Sequence, residues 1–200
     1  MLELQSDVDP EVDELFNAWC DHHHAELLSL PGVLRARRYV RTDGRRGTGR
    51  YLTVYDLDSA AVLDTPTFLR HSTTGTPMPD ALGPSLVYER TVATLVGSAG
   101  DISGADGLIR ARVPTGSGEL APLADRLLKT GPGTVVGVRL FHAGDGPEVP
   151  VVAFLDRLSP GSFESPSRFE ADSTLTEAVA YRLVFDDSSP RPPTDPGRPG

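Results

Sequence analysis

Cysteine, lysine and tryptophan each occur once in these 200 residues, as Cys20, Lys129 and Trp19. A lone cysteine excludes an intrachain disulfide framework and a thiolate zinc cluster. Positive charge is scarce: 19 Lys and Arg face 28 Asp and Glu, for a formal net charge of −9. A general nucleic-acid binder needs a basic footprint to displace phosphate counterions, so no nucleic-acid partner is expected. No apolar run approaches the ~20 residues that cross a bilayer, so no membrane partner is expected. The opening MLELQSDVDPEVDE is acidic and has neither the basic end nor the apolar stretch of a secretory signal. A cytoplasmic protein is the expectation. GTGRY and GSGEL read as turns, and there is no P-loop, dinucleotide fingerprint, EF-hand, HExxH or nucleophile elbow.

Proline and glycine are plentiful, at 18 and 20. Five of the prolines fall in the closing DDSSPRPPTDPGRPG, which has nothing apolar to anchor it; a disordered tail over 187–200 is expected. Hydrophobic residues make up 38 %, enough for one ordinary domain or two small halves sharing a core.

The chain carries an internal similarity of about one hundred residues. Pro31-Gly32 before VLRARRYVR lies over Pro132-Gly133 before TVVGVRLFH, which sets Arg38 on Arg139. YLTVYDLDSAAVLDTPTFL lies over VVAFLDRLSPGSFESPSRF, setting Asp56 on Asp156, Ser59 on Ser159, Asp64 on Glu164 and Pro66 on Pro166. Both stretches read in the order βαββαβ. The first half predicts strands over Met1–Gln5, Val33–Arg41, Tyr51–Leu57 and Ser85–Val96, with helices over Asp13–Leu30 and Ala60–Arg70. The second predicts strands over Leu108–Val113, Thr134–His142, Val149–Leu155 and Glu177–Phe185, with helices over Glu119–Lys129 and Phe163–Ala171. The division is 1–97, a small-residue linker 98–107, and 108–186. Each unit is a ferredoxin-like four-stranded sheet with both helices on one face. The bare faces cover one another most economically by packing sheet to sheet. The predicted fold is therefore α+β: two tandem units forming an intramolecular, pseudo-dimeric barrel, as a monomer or a homodimer.

Trp19, His24, Pro31 and Gly32, with the strands that follow, resemble the dimeric α/β-barrel superfamily, closest to its EthD-like branch. The resemblance covers the first half; the second matches in outline and lacks the Trp and His. It implies the barrel fold. Relatives include cofactor-free monooxygenases, polyketide cyclases and isomerases, and fold alone does not choose among them.

The candidate chemistry clusters in the first half. His22, His23 and His24 are consecutive on a helix and point about 100° apart, so no metal cluster is expected from the three. His24 matches the family's histidine, and a neutral imidazole can take and return a proton. Alternation sets Tyr51, Thr53 and Tyr55 on one face of their strand, and Leu52 and Val54 on the other. The tyrosine face is expected to look into the barrel and the apolar pair to meet the helices. Arg35, Arg37, Tyr39 and Arg41 share a face by the same logic, as do Tyr88 and Arg90. His71, ending the second helix, is expected near the barrel mouth. Cys20 has no base at a telling spacing and reads as a small buried hydrophobe. The expectation is one polar cavity built by the first half under an apolar lid from the second. His24, His71, Tyr51 and Tyr55 are the catalytic candidates; Trp19, Arg37, Tyr39 and Tyr88 are the substrate-binding ones. The ligand is small and hydrophobic or aromatic, and no cofactor and no metal is expected. Two readings stay open: an acid–base enzyme of cyclase, isomerase or monooxygenase type, or a non-catalytic ligand-binding or interaction protein on the same barrel.

Overall fold

The computed structural model describes residues 1–47, 49–114, 119–130, 135–143, 150–157 and 175–188. The fold is α+β, with a nine-stranded antiparallel sheet and three α-helices among these residues. Strand β1 (Leu2–Asp7) leads through a 3-10 turn at Pro10–Val12 into helix α1 (Asp13–Leu28). Asp13 and Glu14 lie in the helix's first turn, where its dipole favours negative charge. Gly32 then turns the chain with φ +85°, and a Cβ there would come 2.5 Å from Val62 Cγ2. Only glycine meets both demands. Strands β2 (Val33–Arg41) and β3 (Tyr51–Leu57) follow at the predicted residues.

The predicted helix Ala60–Arg70 divides instead into a 3-10 turn, Ala60–Asp64, and helix α2, Pro66–Thr74. Pro66 is the cause: it holds Thr65 in extended geometry, and the Thr65 side chain then accepts from Phe68 N at 3.3 Å to cap α2. The predicted strand Ser85–Val96 also divides, into β4 (Val87–Val92) and β5 (Thr94–Gly100), so β5 takes up the first residues of the expected linker. Then come β6 (Gly107–Val113), α3 (Leu120–Thr130), β7 (Val135–His142), β8 (Val151–Arg157) and β9 (Thr176–Ser188). The predicted helix Phe163–Ala171 and residues 189–200 of the tail lie outside the described residues. Asp187 and Ser188, expected in the tail, belong to β9, where Ser188 pairs with Arg35 and the Arg35 guanidinium grips Asp186.

The strands run in the order β4-β1-β3-β2-β9-β6-β8-β7-β5. Strand β9 bridges two groups: its first part pairs with β6 and its last part with β2. The β4–β5 run bridges them again, β4 pairing with β1 and β5 with β7. The sheet curls, because strands far apart in it touch. Arg110 of β6 reaches Glu3 of β1 at 2.9 Å, and Leu52 and Val54 of β3 share one core cluster with Phe141, Val152 and Phe154 of β7 and β8.

Alternation splits each strand between this enclosed core and the outer helix layers. On β2 the expected set, Arg37 and Tyr39, does face the enclosed core, whereas on β3 the split is the reverse of the sequence expectation. Leu52 and Val54 face the enclosed core, while Tyr51 and Tyr55 join the clusters beneath α1 and its neighbours. In the second half Val138, Leu140, Ala153 and Leu155 meet Leu123, Ala124 and Leu127 of α3 instead of forming a lid over a cavity. The tyrosines go outward because α1 offers polar partners: the Tyr51 hydroxyl donates to Asp13 Oδ1 at 2.9 Å and accepts from Asn17 Nδ2 at 3.3 Å. The enclosed core holds a buried ionic cluster. Arg37 pairs with Asp56 at 2.9 Å and Arg139 with Asp156 at 2.7 Å, with cross-contacts Arg37–Asp156 at 3.6 Å and Arg139–Asp56 at 3.7 Å. Arg37 lies opposite Val54 as Arg139 lies opposite Phe154. If Val54 is laid on Phe154, as the sequence overlay does, strand register sets Arg37 on Arg139, one place from the Arg38 that the overlay of the preceding strands suggested.

Candidate functional site

A cavity of about 290 Å³ lies outside the curled sheet, beneath α1. Helix α1 supplies Phe16, Cys20 and His24 at four-residue steps, and Trp19 and His23 at the same step beside them. Residues four apart lie over one another on a helix, so these five make one continuous wall. The outer face of the sheet supplies Leu4 and Ser6 from β1 and Thr53 and Tyr55 from β3, while Met78, Leu86 and Tyr88 complete the rim. Tyr88 is 62 % exposed and stands at the mouth.

The lining is mostly apolar but holds unmet polar groups. Trp19 Nε1, His24 Nδ1 and the Tyr55 hydroxyl are all buried without a hydrogen-bond partner. Three such groups on the residues around one void are unusual, since buried polar atoms are normally satisfied. The His24 ring meets Tyr55 edge-on at 5.5 Å and Phe185 at 5.1 Å. Burial, then the charges of Arg38 and His23, pull the His24 pKa from 6.5 down to about 3. It is a neutral imidazole at pH 7. Burial lifts the Cys20 thiol to about 11 and the Tyr55 phenol well above 10. Cys20 is thus a protonated wall group and no nucleophile. Behind the wall lies Arg38, its guanidinium carbon 4.9 Å from the Phe16 ring centre and 4.3 Å from that of Tyr51. It is fully buried, and its Nε and Nη2 find no partner.

Of the eight residues singled out from sequence, Trp19, His24, Tyr55 and Tyr88 line this cavity. His71 does not, but its ring lies 5.6 Å from that of His23, which does. The other three are held elsewhere. Tyr51 is engaged by Asp13 and Arg50 at the start of α1. Arg37 is held in the ionic cluster of the enclosed core, and Tyr39 is packed in the same core among Leu52, Phe141 and Phe154. Phe16 and Cys20 were legible as lining residues from their four-residue spacing to His24, which the sequence reading did not use. Arg38 has no local signal, because one arginine among many looks like surface.

No protein-family model and no curated protein matches this chain. Solved structures do match in fold. An anthrone oxidase-like protein aligns over 94 % of this chain and 92 % of its own, with a TM-score of 0.59 and 11 % identity. A candidate monooxygenase from Fusobacterium nucleatum subsp. nucleatum ATCC 25586 aligns over 94 % and 93 %, with a TM-score of 0.58 and 8 % identity. Another from Lactobacillus acidophilus NCFM aligns over 94 % and 95 %, with a TM-score of 0.57 and 10 % identity. At such identities the likeness is one of fold. Among the described residues no helix is long and apolar enough to cross a membrane.

Proposed function

We propose that the chain is a single-chain α/β barrel of two ferredoxin-like units and that it oxidises a small enolisable aromatic compound with dioxygen in the cavity under α1. The repeated strand order supports the two-unit reading: β4-β1-β3-β2 in one part and β9-β6-β8-β7 in the other, so that the first, second, third and fourth strands of each take the same places. The observation that carries the chemistry is the set of unmet polar groups on Trp19, His24 and Tyr55 around a mostly apolar void. Apolar walls with a few convergent polar groups are the usual form of a small-molecule site.

The reaction assigned to it converts an activated CH₂ and O₂ to a carbonyl and water. His24 Nδ1 takes the proton from the activated carbon as the enolate forms, and that anion offsets the Arg38 charge that lowers the basicity of this imidazole. The buried Arg38 guanidinium, behind Phe16 in the wall, adds positive potential that favours the enolate. The enolate is the reductant and dioxygen the oxidant: one oxygen atom ends in the new carbonyl and the other in water. The Tyr55 hydroxyl and Trp19 Nε1 donate to the substrate oxygen, and Tyr88 covers the mouth. The named lining residues all come from the first half.

Anthrone, a tricyclic enolisable ketone, is the first probe. The full chain consumes one O₂ per anthrone, and binding quenches Trp19 fluorescence. His24→Ala lowers kcat at least 100-fold while the melting curve remains cooperative, and Tyr55→Phe costs about tenfold. Unchanged turnover in His24→Ala overturns the role given to this residue. Quenching without O₂ uptake favours the non-catalytic binding protein.

A further inference from the structure

His22, His23 and His24 do not gather on one side of α1, but the fold builds a different cluster from one of them. His23 and Glu26 are three apart on α1, and His71 approaches from α2. One ligand atom from each lies within 4.8 Å of the others. We propose that His23, Glu26 and His71 bind a divalent first-row transition ion where α2 approaches α1. His23 also lines the cavity, and the proposal does not rest on the activity given to that cavity.

The donor set is two imidazoles and one carboxylate, which suits zinc, iron(II), cobalt(II) or nickel(II) and not calcium or magnesium. His23 Nδ1 and His71 Nε2 are both buried and have no hydrogen-bond partner. The two rings stack at 5.6 Å, inclined by 26°, so two imidazole edges are held side by side with nothing satisfying them. A metal ion would use both lone pairs. Glu26 is already oriented. Its Oε2 accepts from Thr76 N at 2.9 Å, and hydrogen bonding from Thr76 lowers its pKa. Such outer bonds typically position metal-binding carboxylates. His71 is positioned too, because Gly75 folds against it: a Cβ at Gly75 would come 2.5 Å from His71 Cε1.

Donors around a tetrahedral ion at about 2.1 Å stand roughly 3.4 Å apart. The cluster must therefore tighten by side-chain rotation, and the part-exposed Glu26 has room to move. A groove lined by His22, Ser29, Thr74 and Pro77 opens onto Glu26 and His71 from solvent, giving an ion a way in and waters a place to complete its shell. His22 is the competing donor, with its Nε2 3.5 Å from Glu26 Oε1, but it is mostly exposed and faces the groove.

The test is titration of the metal-free full chain with Co²⁺, followed by visible absorption, and then displacement with Zn²⁺. The expected result is one Co²⁺ per chain with ligand-field bands, displaced by Zn²⁺. His71→Ala and Glu26→Gln each weaken binding at least tenfold, while His22→Ala leaves it within twofold. Zn²⁺ raises the melting temperature of the wild type and not of Glu26→Gln; Glu26 lies on the surface side of α1, so this variant separates lost binding from lost folding. Absence of Co²⁺ bands at millimolar metal overturns the proposal. So does affinity unchanged in His71→Ala and Glu26→Gln, or a loss in His22→Ala equal to that in His71→Ala.

Discussion

A neutral histidine held beside a buried arginine is the central residue of the cavity, and it sets a pH dependence. His24 has a pKa near 6.5 when unfolded and about 3 when folded. Between those values the unfolded chain binds a proton that the folded chain does not. The His24 contribution to stability is therefore complete above pH 6.5 and lost as pH falls toward 3. Its slope reaches about 1.4 kcal/mol per pH unit inside that window. Carboxylates add their own losses at the acid end, so the useful quantity is a difference. His24→Gln should lose less stability than the wild type between pH 6.5 and 4.5, measured by urea unfolding at each pH; parallel curves would mean that His24 is protonated in the fold. The sequence already marked His24 and Trp19, through their place before Pro31-Gly32. It could not mark Glu26 and His71 as neighbours, because 45 positions separate them and only the approach of α2 to α1 joins them.

At the level of strands and helices, the boundaries were more legible than the faces. Strands β2 and β3 fall on the predicted residues, because β-branched and aromatic alternation ends sharply at Gly32 and in the loop after Arg41. Alternation sorts Tyr51 and Tyr55 from Leu52 and Val54 but does not say which set meets the helices. The tyrosines go to the helix side, where Asp13 and Asn17 wait, and the aliphatic pair goes to the enclosed core. This inversion moved the expected cavity from inside the barrel to beneath α1. It also left the interior strands with an ionic problem, solved by pairing β2 with β3 and β7 with β8 through Arg37, Asp56, Arg139 and Asp156. Asp156 is 0 % exposed and accepts from Arg139 Nε at 2.9 Å and Nη2 at 2.7 Å. Asp156→Asn leaves the buried Arg139 with only the more distant Asp56 carboxylate, and chemical denaturation should register a loss of about 3–5 kcal/mol. A loss below about 1 kcal/mol would show that water reaches this cluster.

Across the whole molecule, the long strand β9 and the β4–β5 run each bind both groups of strands, so neither group closes its sheet alone. Glu3 and Arg110 lie where the groups face each other. Glu3 stands opposite Val54 in its sheet, as Arg110 stands opposite Phe154 in its own, and the two side chains meet at 2.9 Å. Matching places in the two parts thus carry opposite charges in contact. Glu3→Arg sets two guanidinium groups together and should cost about 3–5 kcal/mol by denaturant unfolding, and adding Arg110→Glu should restore most of it. No rescue would mean that each side chain is fixed by other neighbours. The reversed sign also limits how copies of the protein can associate. Setting one group of strands against a second copy of itself would bring Glu3 against Glu3 or Arg110 against Arg110, and that repulsion favours the unlike pairing found within the chain.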